Sequence, residues 1–404
     1  MTVVPEAGGA GIEALRGIEE RYAMPTYRRA PVEFVAGSGS LLRDSHGREY
    51  VDLFSGLSVH NAGNCNPRIV TAIAEQAATL GGTSNLFYSE PAMLLTERLV
   101  DSSLGGRAFL CNSGAEANEC AIKLVRRRAH GRGIDRPEIV VLDHAFHGRT
   151  LAALAATPRL ARDDLFGPLP GGFVAVPRDD PAALEAAVGP ATAAVMIEPI
   201  QGESGVHPIG DDVLAAARRA CDEAGALLVF DEIQTGMGRT GTLWAHQATP
   251  VRPDVMTTAK ALGGGLPVGA CVIAPAVGEG LTLGEHGSTF AGGPICARAA
   301  VVALEILGSP DVLANVSERA AQVRDDLDPH PAVAGIRGRG LMIGVGLAAG
   351  VDAAATAREA LARGVVVNAP NPETIRLLPP LTIEAGDLAD GLSRLRESFD
   401  AVSG

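Results

Sequence analysis

Five runs of strand length are apolar at nearly every position, at 108–111, 139–142, 194–197, 227–230 and 255–257, and helical patterns separate them. Continuous apolarity marks strands buried on both faces, so the pattern predicts an α/β fold around a mainly parallel sheet. In open sheets of this kind ligands bind beyond the carboxyl ends of the strands. Three of the runs are followed by reactive side chains there: Glu198, Asp231 and Lys260. Residues 35–54 read as a hairpin turning at Asp44-Ser45-His46-Gly47, and a helix-and-strand pattern restarts after about residue 300. The division expected from this is a large domain over 56–299 and a smaller one built from both chain ends, 1–55 and 300–404.

Composition narrows the function classes. The net charge of -13 is spread along the chain, and the longest basic run is Arg126-Arg127-Arg128, a solvated helix face and no footprint for nucleic acid. Six scattered cysteines without a C-x-x-C pair indicate reduced thiols and a cytoplasmic setting. Met1 to Ala10 lack the basic start and apolar stretch of a signal peptide, and no apolar run is long enough to span a membrane. Of the 34 basic residues only two are lysines, Lys123 and Lys260. Arginine stays protonated, whereas lysine can lose its proton and attack a carbonyl, so a lysine kept in so arginine-rich a chain is a candidate nucleophile. Lys123 lies in a helical pattern where a cation complements the helix dipole. Lys260 stands between a predicted strand and Gly263-Gly264-Gly265, with room for a bulky ligand.

The remaining motifs surround that lysine. Ser113 and Glu116 stand in capping-box relation at a helix start, with Gly114 exposing backbone amides. Such amides and the positive end of the helix dipole can cradle a phosphate, although the same spacing also serves a plain helix start. Asp231 follows Leu227-Leu-Val-Phe230 into partly buried surroundings, where a carboxylate needs a cationic partner; a protonated pyridine nitrogen would meet that need, with Gln234 at the ring's phenolic oxygen. Phe146-His-Gly-Arg-Thr150 offers an aromatic face and a guanidinium for a carboxylate. His144 and His147 beside Asp143 lack a third ligand, so no metal is expected. Gly236-Met-Gly-Arg-Thr-Gly241 fits the dinucleotide pattern but precedes only a weak helix start, and is read as a turn.

Taken together, Ser113-Gly-Ala-Glu-Ala117, Phe146-His-Gly-Arg-Thr150, Glu198-Pro-Ile-Gln-Gly-Glu203, Asp231-Glu-Ile-Gln-Thr-Gly236, Ala259-Lys-Ala-Leu-Gly-Gly264 and Gly287-Ser-Thr-Phe290 resemble class III aminotransferases in order and spacing, from about Tyr27 to Thr382. Met24-Pro-Thr-Tyr27 and Phe166-Gly-Pro-Leu-Pro170 are most similar to the acetylornithine aminotransferase group. The resemblance implies a fold-type I transferase dependent on pyridoxal 5′-phosphate, with a seven-stranded type of sheet in the large domain, acting as a homodimer with shared active sites. It implies that Lys260 holds the cofactor as a Schiff base, with Asp231 at the pyridine nitrogen, Gln234 at the phenolic oxygen, Phe146 against the ring, and Ser113, Gly114 and Ala115 at the phosphate. Ser288 and Thr289 would reach the neighbouring subunit's site. Arg149 would grip a substrate carboxylate, with Tyr27 and Leu57 near the donor's far end. Glu198 would pair with Arg376, masking it for an amine donor and releasing it for glutamate.

The activity so implied is transfer of the terminal amino group of N-acetylornithine to 2-oxoglutarate in two half-reactions. Ornithine, succinylornithine, 4-aminobutyrate, diaminobutyrate or a specialised-metabolite amine would use the same core with a different pocket end. A nicotinamide oxidoreductase would rest on the Gly236–Gly241 run, and a non-catalytic cofactor binder on two departures from the family pattern. Those are Gly63-Asn-Cys-Asn-Pro67, where the family commonly has Gly-His-x-His-Pro, and Ala291-Gly-Gly-Pro294, where it has Gly-Gly-Asn-Pro.

Overall fold

The computed structural model describes residues 11–403. Its centre is a seven-stranded sheet in the order Arg107–Cys111, Gly269–Ile273, Val255–Thr258, Leu227–Asp231, Thr192–Ile197, Glu138–Leu142, Phe173–Val176. Six strands run parallel and Gly269–Ile273 runs against them. That strand was absent from the sequence expectation, because small residues and a neighbouring glycine-rich loop blur its pattern.

Both faces of the sheet are dry. Ile139, Val141, Met196 and Val229 pack under the helix Gly114–Gly131, while Val140, Leu142, Val195 and Phe230 pack under the helix Asp211–Ala224. Alternate residues therefore serve opposite layers, and every position must be apolar; the continuous runs in the sequence have this cause. The parallel strands bring residues that follow their carboxyl ends, Asn112, Asp143, Glu198, Asp231 and Lys260, to one edge of the sheet.

The two chain ends meet beside this sheet. Phe34–Ser38, Leu41–Asp44 and Glu49–Asp52 form a three-stranded meander, one strand more than the expected hairpin, and the turn at Asp44 is closed by its carboxylate accepting from the amides of His46 and Arg48 at 2.9 Å. The additional turn falls at Gly39, whose positive φ of 57° permits it. Val365–Val366 adds to Glu49–Asp52 in parallel, so residues more than 300 apart share one sheet. A second sheet, Val333–Arg339, Met342–Leu347, Thr374–Leu377 and Asn368–Asn371, is antiparallel throughout and carries Arg376. Among the described residues no single helix is long and apolar enough to cross a membrane.

Two places depend on backbone that L-residues avoid. Ser55, Gly56, Leu57 and Ser58 have φ of 49°, 58°, 67° and 66°, a single left-handed turn in which three residues are not glycine. Left-handed geometry costs roughly 1–2 kcal/mol for each such residue, so other contacts must hold the turn. Gly340, at φ 55°, joins two strands of the second sheet, and a Cβ there would lie 2.6 Å from the carbonyl carbon of Thr240 and 2.7 Å from the Arg239 oxygen. Gly340→Ala is expected to destabilise the protein by about 2–5 kcal/mol through backbone strain and overpacking. Urea denaturation measures this; an unchanged midpoint would refute the contact.

Candidate active site

A cavity of about 460 Å³ opens at the carboxyl edge of the central sheet. It gathers Ser113, Gly114, Ala115, Phe146, Arg149, Glu198, Asp231, Gln234 and Lys260 from segments scattered over some 150 residues. The loop Gly265–Val268, with Val59, closes the opposite side.

Ser113 caps the helix Gly114–Gly131, its hydroxyl accepting from the Glu116 amide at 3.2 Å. Glu116 reaches back one residue further than in the usual capping box, accepting from the Asn112 amide at 2.6 Å. The helix's first-turn amides have no intrahelical acceptor, and they border the cavity at Gly114 and Ala115. A Cβ at Gly114 would come within 2.7 Å of the Ile233 side chain, so only glycine lets this helix start sit so close to the Asp231 loop.

Asp231 is 4% exposed and closes the strand Leu227–Asp231. The protein itself already supplies several of the partners that its burial calls for. Oδ2 accepts from Asn118 Nδ2 at 2.8 Å and faces His147 Nδ1 at 2.8 Å; Oδ1 accepts from the Ile233 amide at 3.1 Å. Burial would lower the His147 pKa, but the hydrogen bond and charge of Asp231, with the charge of Glu198, raise it instead. His147 is thus a protein-supplied partner of the carboxylate, which favours the protonated form of the ring. Asn118 is fixed in turn by Thr257 Oγ1, which donates to Asn118 Oδ1 at 2.7 Å. The sequence weighed His147 only as a metal ligand and did not single out Asn118, because their partner lies 84 and 113 residues away.

Lys260 follows the strand Val255–Thr258 at a left-handed φ of 47°, and its side chain lines the cavity. Burial holds its pKa below that of an ordinary lysine and Arg376 acts in the same direction; Glu203, Asp231 and Glu198 oppose without reversing the shift. A neutral, nucleophilic amine is therefore accessible at lower pH than in water. Lys123, by contrast, ties its helix to the loop before Ser288, donating to the Glu285 carbonyl at 2.6 Å with His286 Nδ1 at 3.1 Å.

The expected pairing of Glu198 with Arg376 is not what forms. Arg376 Nη1 meets Glu203 Oε1 at 2.7 Å, and its Nε and Nη2 donate to Asn368 Oδ1 at 3.1 and 2.8 Å. Glu198 stays at the strand end, accepting from the Phe146 amide at 2.8 Å. The short hairpin of Ile200–Gln201 and His207–Pro208 carries Glu203 onward to the second sheet, a reversal that motif spacing could not reveal. Burial raises the Glu203 pKa, but Arg376 and Lys260 outweigh it and leave the carboxyl below its ordinary value. Arg149, whose guanidinium lies 5.6 Å from the Phe146 ring centroid, has no hydrogen bond or ion pair among the described residues and remains available to an anion.

Five expected site residues lie outside the cavity lining, Arg376 among them, held behind the lining residue Glu203. Tyr27 is 73% exposed and Leu57 lies on the left-handed turn. Thr289 borders a separate groove of about 520 Å³ with Leu86, Phe87, Tyr88 and Phe290, and the Ser288 hydroxyl accepts from Asn112 Nδ2 at 2.9 Å. Among the described residues no cluster could hold a metal ion.

With this geometry in place, the comparisons with known proteins converge. The family model for class-III aminotransferases matches residues 22–399. The chain belongs to that family. It is 48% identical to an acetylornithine aminotransferase of Xylella fastidiosa, over 95% of this chain and 96% of that one. The structure of N-acetylornithine aminotransferase from Stenotrophomonas maltophilia aligns with a TM-score of 0.82 at 39% identity, covering 95% and 98% of the two chains. The ornithine aminotransferase of Toxoplasma gondii, whose active site carries pyridoxal phosphate at partial occupancy, aligns with a TM-score of 0.91 at 32% identity, covering 97% and 95%.

Class III aminotransferases use pyridoxal phosphate, and the side chains here suit it: a half-buried lysine of lowered basicity, a carboxylate pre-set by His147 and Asn118, and a glycine-opened helix start for an anion. The pyridoxal-dependent reading of the motifs is thus the one the family supports, and the Gly236–Gly241 run is a turn, with Gly238 and Gly241 at φ 83° and 95°.

Burial pushes the Glu198 carboxyl up to about 7, with Asp231 adding to the shift while His147 opposes it. A carboxyl that binds its proton more tightly when folded contributes stability that is lost as pH rises from about 4.5 through about 7. Glu198→Gln is therefore expected to gain on the wild type by a few kcal/mol between pH 5 and pH 8. Chemical denaturation at both pH values checks this, and parallel pH profiles for the two proteins would contradict it.

Proposed function

We propose that this enzyme transfers the terminal amino group of N-acetylornithine to 2-oxoglutarate. The observation that carries the reading is the convergence of Lys260, Asp231, the helix start at Ser113–Ala115 and the free Arg149 on a single cavity, with Arg376 masked behind the lining residue Glu203. When bound, pyridoxal phosphate supplies an aldehyde that takes up the donor nitrogen and a ring that accepts an electron pair from carbon. Ser113, Gly114 and Ala115 would hold its phosphate, Phe146 its ring face, Asp231 its ring nitrogen and Gln234 its phenolic oxygen.

Each remaining step belongs to the chain's own groups. Lys260 Nζ, kept weakly basic, would accept the proton from the donor carbon and hand it to the cofactor's carbon. Asp231, held from three directions, keeps a negative charge where a ring cation is to be retained. Arg149 takes the carboxylate of the amino acid. Glu203 covers Arg376 while a donor with no carboxylate beside its reacting amine is bound, and yields it to the second carboxylate of glutamate.

The enzyme is further proposed to act as a homodimer in the cytoplasm, with Ser288 and Thr289 presented to the partner's site and Tyr27 and Leu57 at the donor's far end. Leu86, Phe87, Tyr88 and Phe290, each at least 70% exposed, form an apolar rim around the Thr289 groove, the kind of surface a second copy would cover. Every residue lining the active-site cavity falls within 56–299, which supports taking that span as the large domain.

The deciding experiment mixes the yellow holoenzyme with acetylornithine, ornithine, 4-aminobutyrate or glutamate in turn, without keto acid, and follows the visible cofactor band. Fast bleaching by acetylornithine and glutamate is expected; bleaching by ornithine in preference to acetylornithine would reassign the donor, and none with any amine would end the transaminase reading. Lys260→Ala is expected to abolish turnover with cofactor still bound, checked by absorbance after gel filtration. Arg376→Ala is expected to lower kcat/KM for glutamate by about 100-fold, with a much smaller effect on acetylornithine. Equal losses in both half-reactions would rule out the masking role of Glu203.

A further inference from the structure

Arg239, within the glycine-rich turn Gly236–Gly241, is fully buried, yet among the described residues it makes no ion pair with a carboxylate. Its guanidinium is satisfied entirely by neutral oxygens. Nε donates to Ser58 Oγ at 2.9 Å, Nη1 to the carbonyls of Leu341 at 2.9 Å and Pro379 at 2.7 Å, and Nη2 to Asn61 Oδ1. Burial lowers its pKa to about 9, with Asp52 opposing. Burying a cation without a counter-ion is costly, and a packed apolar side chain would fill the space more cheaply. What arginine alone provides is a rigid fork that reaches several acceptors at once.

Those acceptors belong to two segments that frame the active site. Ser58 ends the left-handed turn, and Asn61 follows it, accepting from the Ser58 hydroxyl at 2.9 Å. Asp52 holds the start of the turn, accepting from the amides of Phe54 at 3.0 Å and Ser55 at 2.8 Å. The amides of Val59 and His60 close it on the Ser55 carbonyl at 2.8 and 3.0 Å. Val59 lines the cavity, and the His60 ring packs on Gly265, where a Cβ would lie 3.0 Å from His60 Cε1; Gly265 lines the cavity too. On the other side, Pro379 lies three residues beyond Arg376. Strained backbone persists where surrounding structure over-determines it, and such places cluster at ligand sites.

We propose that Arg239 is a positioning residue for substrate selectivity: through Ser58 and Asn61 it holds the left-handed turn, and with it the Leu57–Val59 wall met by the amine donor, while through Pro379 it steadies the segment bearing Arg376. The proposal rests on the transaminase reading and adds to it a residue that touches neither substrate nor cofactor. It also gives the Gly236–Gly241 run a purpose, since glycines at 238 and 241 with positive φ shape the turn from which Arg239 enters the interior.

The test uses holoenzyme of wild type, Ser58→Ala and Arg239→Lys. Ser58→Ala keeps the volume of the site and removes one acceptor of the fork. It is expected to raise the KM for the amine donor about tenfold, with kcat and the KM for glutamate within about twofold, and to speed amide hydrogen exchange at Val59 and His60. Arg239→Lys, which cannot span all the acceptors, is expected to raise the KM for both substrates. If Arg239→Lys does not fold, Ser58→Ala decides alone. Unchanged KM values and exchange rates in Ser58→Ala, even with a lower melting temperature, would overturn the proposal and leave Arg239 a structural strut. A wild-type enzyme that converts no amine would instead remove the transaminase reading, and this inference with it.

Discussion

Five ionisable groups, Asp231, Glu198 and Arg376 buried and Lys260 and Glu203 half-buried, are gathered at one edge of a parallel sheet, and their mutual charges govern what each can do. Water would screen them from one another; here they act at close range in a medium of low polarity. The rest of the architecture serves to keep them there. Dry strands bring three of them to a common edge, the hairpin after Glu198 delivers Glu203, and the second sheet presents Arg376 from the far end of the chain.

Buried charge is tolerated because nearly every one has a specific partner. Asp231 rests on His147 and Asn118, Arg376 on Glu203 and Asn368, and Arg239 on four neutral oxygens. Lys260 is the exception in kind: its surroundings lower its basicity in place of fixing its charge. The same cavity thus holds charges that must stay and one that must come and go, which is what proton transfer at carbon requires.

Selectivity has a different origin. The groups lining the cavity stand at the ends of strands, at the start of a long helix and on the turns that follow, and a turn of four consecutive left-handed residues lies just before Val59 in the lining. Turns can change between relatives without disturbing the sheet, which is how one family can keep its chemistry while its members differ in the amine they accept. The departures at Asn64 and Asn66 lie just beyond this turn and have local partners: Asn64 Nδ2 donates to Asp52 Oδ2 at 3.1 Å, and Asn66 caps the helix Pro67–Thr79.

Local patterns carried much of this outcome. Continuous apolar runs announced the parallel sheet, two lysines among 34 cations singled out Lys260, and an aspartate after a wholly apolar strand was bound to need company. These were legible because each depends on neighbours in the chain: strand burial, residue chemistry and helix capping act over a few positions. The partner of Arg376, the histidine beside Asp231, the extra strand at the amino end and the fork of Arg239 were decided only by tertiary structure. Each joins residues from 84 to 181 positions apart, or turns on a backbone reversal of a few residues, and such distances close only once the sheets have set where the chain returns.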